Sequence, residues 1–231
     1  MSEGTIQVTR WWWVRHAPVR EDGGCIYGQA DLSCDCSDAA VFDGLVRALP
    51  NDAAWFTSNL KRTHQTAAAI FAAGYAKPET VTQERRFAEQ DLGEWQGLNR
   101  AEFNAKRPKR LGSAWFGPVE ERAPGGESFV DLCDRTHAAI AAINQVNGGR
   151  DIVVVAHGGT IKAAVSLALN LGPQGGLSFT IDNCSVTRLD HRALDGREGW
   201  RVGMVNHQPW IVPSAHPSMH QPDGPETTKL A

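Results

Sequence analysis

Two short, unbroken apolar runs, Trp11-Trp12-Trp13-Val14 and Ile152-Val153-Val154-Val155, constrain this chain more than any other feature. Such runs suit strands buried on both faces of a sheet, with a buried helical segment as the alternative that periodicity leaves open. Each leads directly to a histidine: His16 follows Arg15, and His157 follows Ala156. At 231 residues the chain fits one large domain, or a core with a small elaboration, and can bury a sizeable core without covalent staples.

Between and after these runs the pattern alternates. Ser37-Asp38 is placed to cap a helix with Val41, Phe42, Leu45, Val46 and Leu49 on one face, stopped by Pro50. Ala53–Thr57 reads as a strand, followed by a helix from about Lys61 to Ala73 ending at Gly74. Phe129, Cys133, His137, Ile140 and Ile143 give a helix from Glu127 to about Val146, closed by Gly148-Gly149, and Ile161 to Leu169 form a further apolar stripe. Val186 to His191 and Trp200 to Val205 alternate about the turn Asp195-Gly196 and predict a late hairpin. Strands alternating with helices predict an α/β three-layer sandwich with a mostly parallel central sheet and helices on both faces. Beyond Pro213 the composition predicts a mobile tail, in which His216 and His220 read as solvated.

Five cysteines, at 25, 34, 36, 133 and 184, show no Cys-x-x-Cys spacing and read as free thiols in a reducing compartment. The first residues lack the basic stretch and long apolar segment of a secretion signal, so cytoplasm is the default. A net charge of −3 gives no general attraction to nucleic acid or to an anionic membrane. Any bound phosphate must therefore be held by a local cluster of cations, which makes individual Arg and His positions informative.

In parallel α/β sheets ligands bind beyond the carboxyl ends of the strands. Here those ends deliver Arg15-His16, Ser58 to Arg62, and His157-Gly158-Gly159-Thr160, and two of these segments lead straight into a helix. A helix start offers free N–H groups, Gly158-Gly159 allow close approach of backbone to an anion, and arginine adds a planar fork for two phosphate oxygens.

These segments resemble the histidine phosphatase (phosphoglycerate mutase-like) superfamily. Arg15-His16-Ala17 is similar to its Arg-His-Gly motif, and Ser58-Asn59-Leu60-Lys61-Arg62-Thr63-His64-Gln65-Thr66 matches its Ser-x-Leu-x-Arg-(Ala/Thr)-x-Gln-Thr motif. Glu89 to Gly97 is similar to the segment that supplies an acid, Pro124-Gly125-Gly126-Glu127-Ser128 matches Pro-Gly-Gly-Glu-Ser, and His157-Gly158-Gly159 matches the second catalytic histidine. The resemblance implies His16 as nucleophile, Arg15, Arg62 and His157 as the phosphate pocket with Gly158 beside it, and Glu89 as proton donor. It also implies Tyr27, Gly28 and Gln29 on a substrate-facing loop, one domain over 1–212, a cap insertion at about 98–123, and a tail over 213–231. No cofactor or metal ligand set is implied; the partner is a small phosphorylated metabolite, and a homodimer is compatible with the sequence.

Several neighbours have plainer readings. Asp91 and Glu94 read as surface carboxylates, Glu127 and Ser128 as a helix start, and Arg135, His64 and His137 as packing or ion-pair residues. Trp95 and Trp115 flank the substrate side, while Lys106, Arg107, Lys109 and Arg110 read as a solvated face. As general acid, Glu89 calls for burial or crowding by carboxylates. Ala17, standing where the family has Gly, is expected to narrow the pocket or alter the backbone angle. The activity implied is a phosphatase acting through a phosphohistidine, closest in character to α-ribazole phosphatases; a mutase and an inactive phosphate-binding relative are the alternatives.

Overall fold

A computed structural model describes residues 5–107 and 116–211. The expected tail and its histidines, together with Lys109, Arg110 and Trp115, lie outside the described residues. A six-stranded sheet, β1 (Gln7–Arg15), β2 (Ala53–Thr57), β3 (Val81–Gln83), β4 (Asp151–Ala156), β5 (Val186–Leu194) and β6 (Arg197–His207), runs in the order β3-β2-β4-β1-β5-β6. The pairs β3·β2, β2·β4 and β4·β1 are parallel, whereas β1·β5 and β5·β6 are antiparallel. Helices α1 (Ala39–Ala48), α2 (Lys61–Ala72), α3 (Arg100–Ala105), α4 (Phe129–Asn147), α5 (Gly158–Ala168) and the short α6 (Pro173–Gly176) complete the chain.

The unbroken apolar runs are explained by two-sided burial, because successive strand side chains point to opposite faces. Trp11, Trp13, Ile152 and Val154 pack on one face with Ile140 and Ile143 of α4 and Ile161 and Val165 of α5. Val14, Val153 and Val155 pack on the other with Phe42 and Leu45 of α1 and Ile70 of α2. Each large apolar side chain buried this way contributes roughly 1.5–3 kcal/mol, so the central pair β1·β4 is anchored from both faces. These are the two strands whose ends carry His16 and His157.

Local signals set most element ends. Asp38 accepts from the Val41 amide at 3.4 Å to cap α1, and α2 stops at Gly74, whose φ of +112° is adopted freely only by glycine. The α4 start falls two residues later than expected, because Ser128 and Asp131 form a reciprocal capping box that leaves Glu127 outside the helix. The hairpin is closed by Asp195 and Gly196, both at positive φ, as a two-residue turn requires.

The region of the expected cap is packed onto the molecule where it is described. The Ile26 amide donates to the Leu98 carbonyl and the Gly97 amide to that of Ile26, joining this segment to the loop after β1. Arg107 departs from the solvated-face reading: its guanidinium lies 4.6 Å from the Trp95 ring centroid and 4.4 Å from that of Phe103, and pairs with Glu121 at 2.6 Å. Trp95 is engaged in that stack. No helix among the described residues is long and apolar enough to cross a membrane.

Candidate active site

The carboxyl ends of β1, β2 and β4 converge, so that His16, Ser58 and His157 meet although they are far apart in sequence. The His16 and His157 ring centroids are 5.1 Å apart. The backbone of His16 is held from both sides, its amide donating to the Ala156 carbonyl at 2.9 Å and its carbonyl accepting from Asn183 Nδ2 at 2.8 Å.

Hydrogen bonding assigns the protons of both imidazoles. His16 Nδ1 lies 2.7 Å from the Ala17 carbonyl oxygen, which can only accept, so Nδ1 carries the proton and Nε2 the lone pair. Arg62 Nε donates to His157 Nδ1 at 3.2 Å, so the His157 proton sits on Nε2, 2.8 Å from Ser58 Oγ. Burial, then the charges of Arg62 and Arg15, holds His16 well below the ordinary histidine range. Burial, Arg62, His16 and Arg15 do the same for His157. Both rings are therefore neutral at physiological pH.

Arg62 and the two histidines are 0–1 % exposed and lie under the floor of a cavity of about 540 Å³, which Arg15, Tyr27, Gly28, Glu89 and Gly158 line. The Arg62 guanidinium donates to the carbonyls of Ala30 at 2.8 Å and Gly28 at 2.7 Å and lies 5.2 Å from the centroid of Tyr27. Arg15 Nη1 donates to the Ile181 carbonyl, while its Nε is buried without a hydrogen-bond partner among the described residues. Such an orphaned donor is costly unless an anion satisfies it. The Gln29 side-chain amide donates to the Glu89 carbonyl at 2.9 Å.

Glu89 reaches the start of α5, where both of its carboxylate oxygens are 3.2 Å from the Gly159 amide, and it also accepts from the Gln90 amide. It is half-buried, and its oxygens accept from backbone N–H groups rather than meeting other carboxylates. Its loop is clipped by α4: Arg135 donates to the carbonyls of Arg86, Ala88 and Glu89 and pairs with Glu127. Thr160 Oγ1 donates to the Phe87 and Ala88 carbonyls from the other side. Arg135 is thus more than the ion-pair residue its sequence context indicates.

Ala17 does not narrow the cavity. Its fully buried methyl joins the apolar layer of Val14, Phe42 and Val155, and its φ is not positive. Its amide donates to Thr66 Oγ1 at 2.9 Å. The sequence reading also passed over Lys162, Asn183 and Arg100, which line the cavity. Lys162 stands one turn after Gly158 on α5, a spacing that puts both on one face and that the sequence alone displays. Burial lowers its ammonium, opposed by the charge of Glu89. Among the described residues no group of three His, Cys, Asp or Glu side chains is clustered to hold a metal ion.

A family model described as the histidine phosphatase superfamily (branch 1) matches residues 12–207. The chain belongs to the histidine phosphatase superfamily. Its relatives in the superfamily are phosphatases or phosphoglycerate mutases. Glucosyl-3-phosphoglycerate phosphatase of Mycolicibacterium vanbaalenii is 31% identical over 225 residues, covering 87% of this chain and 96% of the relative. The 2,3-bisphosphoglycerate-dependent phosphoglycerate mutase 2 of Gloeobacter violaceus is also 31% identical, over 140 residues that span 60% of this chain and only 64% of the mutase. The native structure of a mycobacterial glucosyl-3-phosphoglycerate phosphatase superposes with a TM-score of 0.71 at 26% identity, covering 87% of this chain and 99% of that one. An Escherichia coli structure described as an α-ribazole-5′-P phosphatase gives 0.69 at 18% identity over 87% and 97%, a likeness of fold.

Proposed function

We propose that this superfamily member is a phosphatase that hydrolyses a phosphate monoester of a small metabolite through a phosphohistidine on His16, without a metal. The observation that carries this reading is the buried, neutral His16 imidazole with its proton on Nδ1, which leaves the Nε2 lone pair beside Arg62 and His157.

In the first step His16 Nε2 attacks phosphorus in line, the ester P–O bond breaks, and Glu89 gives its proton to the leaving oxygen. In the second, Glu89 as carboxylate takes a proton from the water that attacks phosphorus, and the P–N bond breaks. Arg15 through its orphaned Nε and Arg62 neutralise the equatorial oxygens, and His157 orients Arg62 by accepting from its Nε. The Ala30 and Gly28 carbonyls and His157 take three of the five N–H groups of Arg62, which orients its fork and leaves one N–H on each terminal nitrogen for phosphate oxygens.

The match along nearly the whole length of a phosphatase, against part of a mutase, favours water over a second hydroxyl as acceptor. Lys162, Arg100, Ser178 and Asn183 on the cavity wall suit a polar substrate with hydroxyls or a second negative charge. Glucosyl-3-phosphoglycerate and 3-phosphoglycerate are the first compounds to test, and cytoplasm fits the free cysteines.

Release of phosphate from p-nitrophenyl phosphate in the presence of EDTA, abolished in His16→Ala, is the expected result. Undiminished turnover in that variant rejects the mechanism, and isomerisation of 3-phosphoglycerate without net phosphate release selects the mutase.

A further inference from the structure

The loop between β1 and α1 brings two sulfurs together beside the phosphate end of the site. Cys34 Sγ lies 3.6 Å from Cys36 Sγ, and both residues are half-buried free thiols. Cys34 is fixed against α2: its amide donates to Gln65 Oε1 at 3.0 Å, and its sulfur is 3.3 Å from the Arg62 carbonyl oxygen and 3.6 Å from Thr66 Oγ1. Thr66 is the hydroxyl that receives the Ala17 amide. Between the two cysteines, the Asp35 amide donates to the Pro18 carbonyl. A short way upstream, the same loop supplies the Gly28 and Ala30 carbonyls that hold the Arg62 guanidinium.

The sulfurs are also chemically unequal. Hydrogen bonding to Cys36, then to Thr66, with the Arg62 charge assisting, pulls the Cys34 thiol down to about 7 against its burial. The same contact pushes Cys36 up, helped by burial. Cys184, in the same apolar cluster, is pushed up to about 12 by burial and is the poorer nucleophile.

We propose that Cys34 and Cys36 form a redox modification site, at which hydrogen peroxide converts the thiol pair into a reversible disulfide that disturbs the loop's hold on Arg62. The Cys34 thiolate attacks a peroxide oxygen, the S–O bond forms, the O–O bond breaks and hydroxide leaves. Cys36 sulfur then attacks Cys34 sulfur, the S–S bond forms, and the S–O bond breaks as hydroxide departs with the Cys36 proton. Two thiols are oxidised, one peroxide is reduced to two waters, and a dithiol reverses the bridge by exchange. Oxidation of Cys34 removes the anion that keeps Cys36 protonated, so the first step primes the second.

Bridging is sterically accessible. Residues two apart have Cα atoms at most about 7 Å apart, which overlaps the disulfide range of about 4.4–6.8 Å. The sulfurs must close by roughly 1.5 Å to reach bonding distance. That contraction acts on Asp35 and Cys34, and through them on Pro18, Gln65 and the carbonyls around Arg62. The consequence for turnover rests on the phosphatase reading, whereas the bridge itself does not.

The test oxidises the full chain with a small excess of hydrogen peroxide, alkylates the remaining thiols and maps the tryptic peptide Glu21–Arg47, which holds Cys25, Cys34 and Cys36. Expected are loss of two hydrogens at Cys34 and Cys36 with Cys25 alkylated, and binding of inorganic phosphate, read by calorimetry, weakened about ten-fold. Dithiothreitol should restore both. Cys36→Ser should stop at a sulfenic acid on Cys34 that dimedone traps, and Cys34→Ser should show neither product; Ala replacements serve where a Ser variant fails to fold. Absence of the bridge, a Cys34 link to Cys25 or Cys184, or a Cys34–Cys36 bridge with unchanged phosphate binding each overturns the proposal. Failure of the reduced protein to bind phosphate rejects the reading of the site and the coupling with it, while the peptide mass still reports the bridge on its own.

Discussion

Both carboxylate oxygens of Glu89 stand 3.2 Å from the amide nitrogen of Gly159, the second residue of α5. This places the carboxyl group at the positive end of that helix, where it takes up the Gly159 amide.

Glu89→Gln keeps the shape of the side chain but removes its proton chemistry. The kcat/KM of an alkyl phosphate, a poor leaving group, is expected to fall about 10²–10⁴-fold, with a much smaller loss on p-nitrophenyl phosphate, whose leaving group needs no proton. Equal losses on both substrates, measured as kcat/KM so that the shared hydrolysis of the phosphohistidine does not enter, would take Glu89 out of the acid role.

On the proposed mechanism, Arg135 acts on chemistry through the Glu89 loop. A lysine cannot span the Arg86, Ala88 and Glu89 carbonyls with a single ammonium. Arg135→Lys should therefore lower kcat on an alkyl phosphate by roughly 10–100-fold with KM nearly unchanged, as expected for a small misplacement of the acid. A rise in KM with kcat unchanged would assign Arg135 to binding instead.

Gly28 has φ of +41°, and a Cβ there would come within 2.6 Å of Gln96 Oε1 and 2.8 Å of the Gln90 carbonyl oxygen. Gly28→Ala must shift this loop and with it the carbonyl that holds Arg62. Inorganic phosphate should bind about ten-fold more weakly, the size of one charge-assisted contact, while the circular dichroism of the fold is kept. Wild-type affinity in a folded variant would show that Arg62 does not depend on this brace.

The histidines set an acid limit to stability. In the unfolded chain His16 and His157 take up protons near the ordinary value of about 6.5, whereas in the folded protein burial and the neighbouring guanidiniums hold both lower. The unfolded state therefore binds more protons below that pH, so stability falls as pH drops from about 6.5 toward the folded values and is unaffected by these groups above it. Urea midpoints at pH 7.5 and 5.5 should differ, and by less in His16→Gln. An identical drop in wild type and variant would show that His16 does not contribute.

What was legible in the sequence follows from where each signal resides. Two-sided burial writes β1 and β4 into composition, and a motif at the end of each strand names the side chain that emerges there. The three-residue edge strand β3 and the short α6 lack that signal, because they bury too few side chains to impose a pattern. Arg135 reads from sequence as a packing or ion-pair residue and no more, because three of its acceptors are backbone carbonyls, which carry no side-chain signature. Asn183 reaches His16 only because β5 runs antiparallel to β1, which sets the approach to β5 beside the end of β1; alternation predicted the strand but not its neighbour. Gln29 and Trp95 lie in segments that match in sequence, yet their side chains serve the acid loop and the Arg107 stack.

The Ala17 methyl, turned into the apolar layer beneath the sheet's end, has a consequence for redesign. On the proposed reading, the nucleophile and the selectivity wall are separate: His16 is rooted in the core, while Lys162, Arg100 and Ser178 stand on the cavity wall. An engineer can recarve that wall to admit another ester without unseating the reactive imidazole, but enlarging residue 17 would disturb the foundation and leave the doorway unchanged.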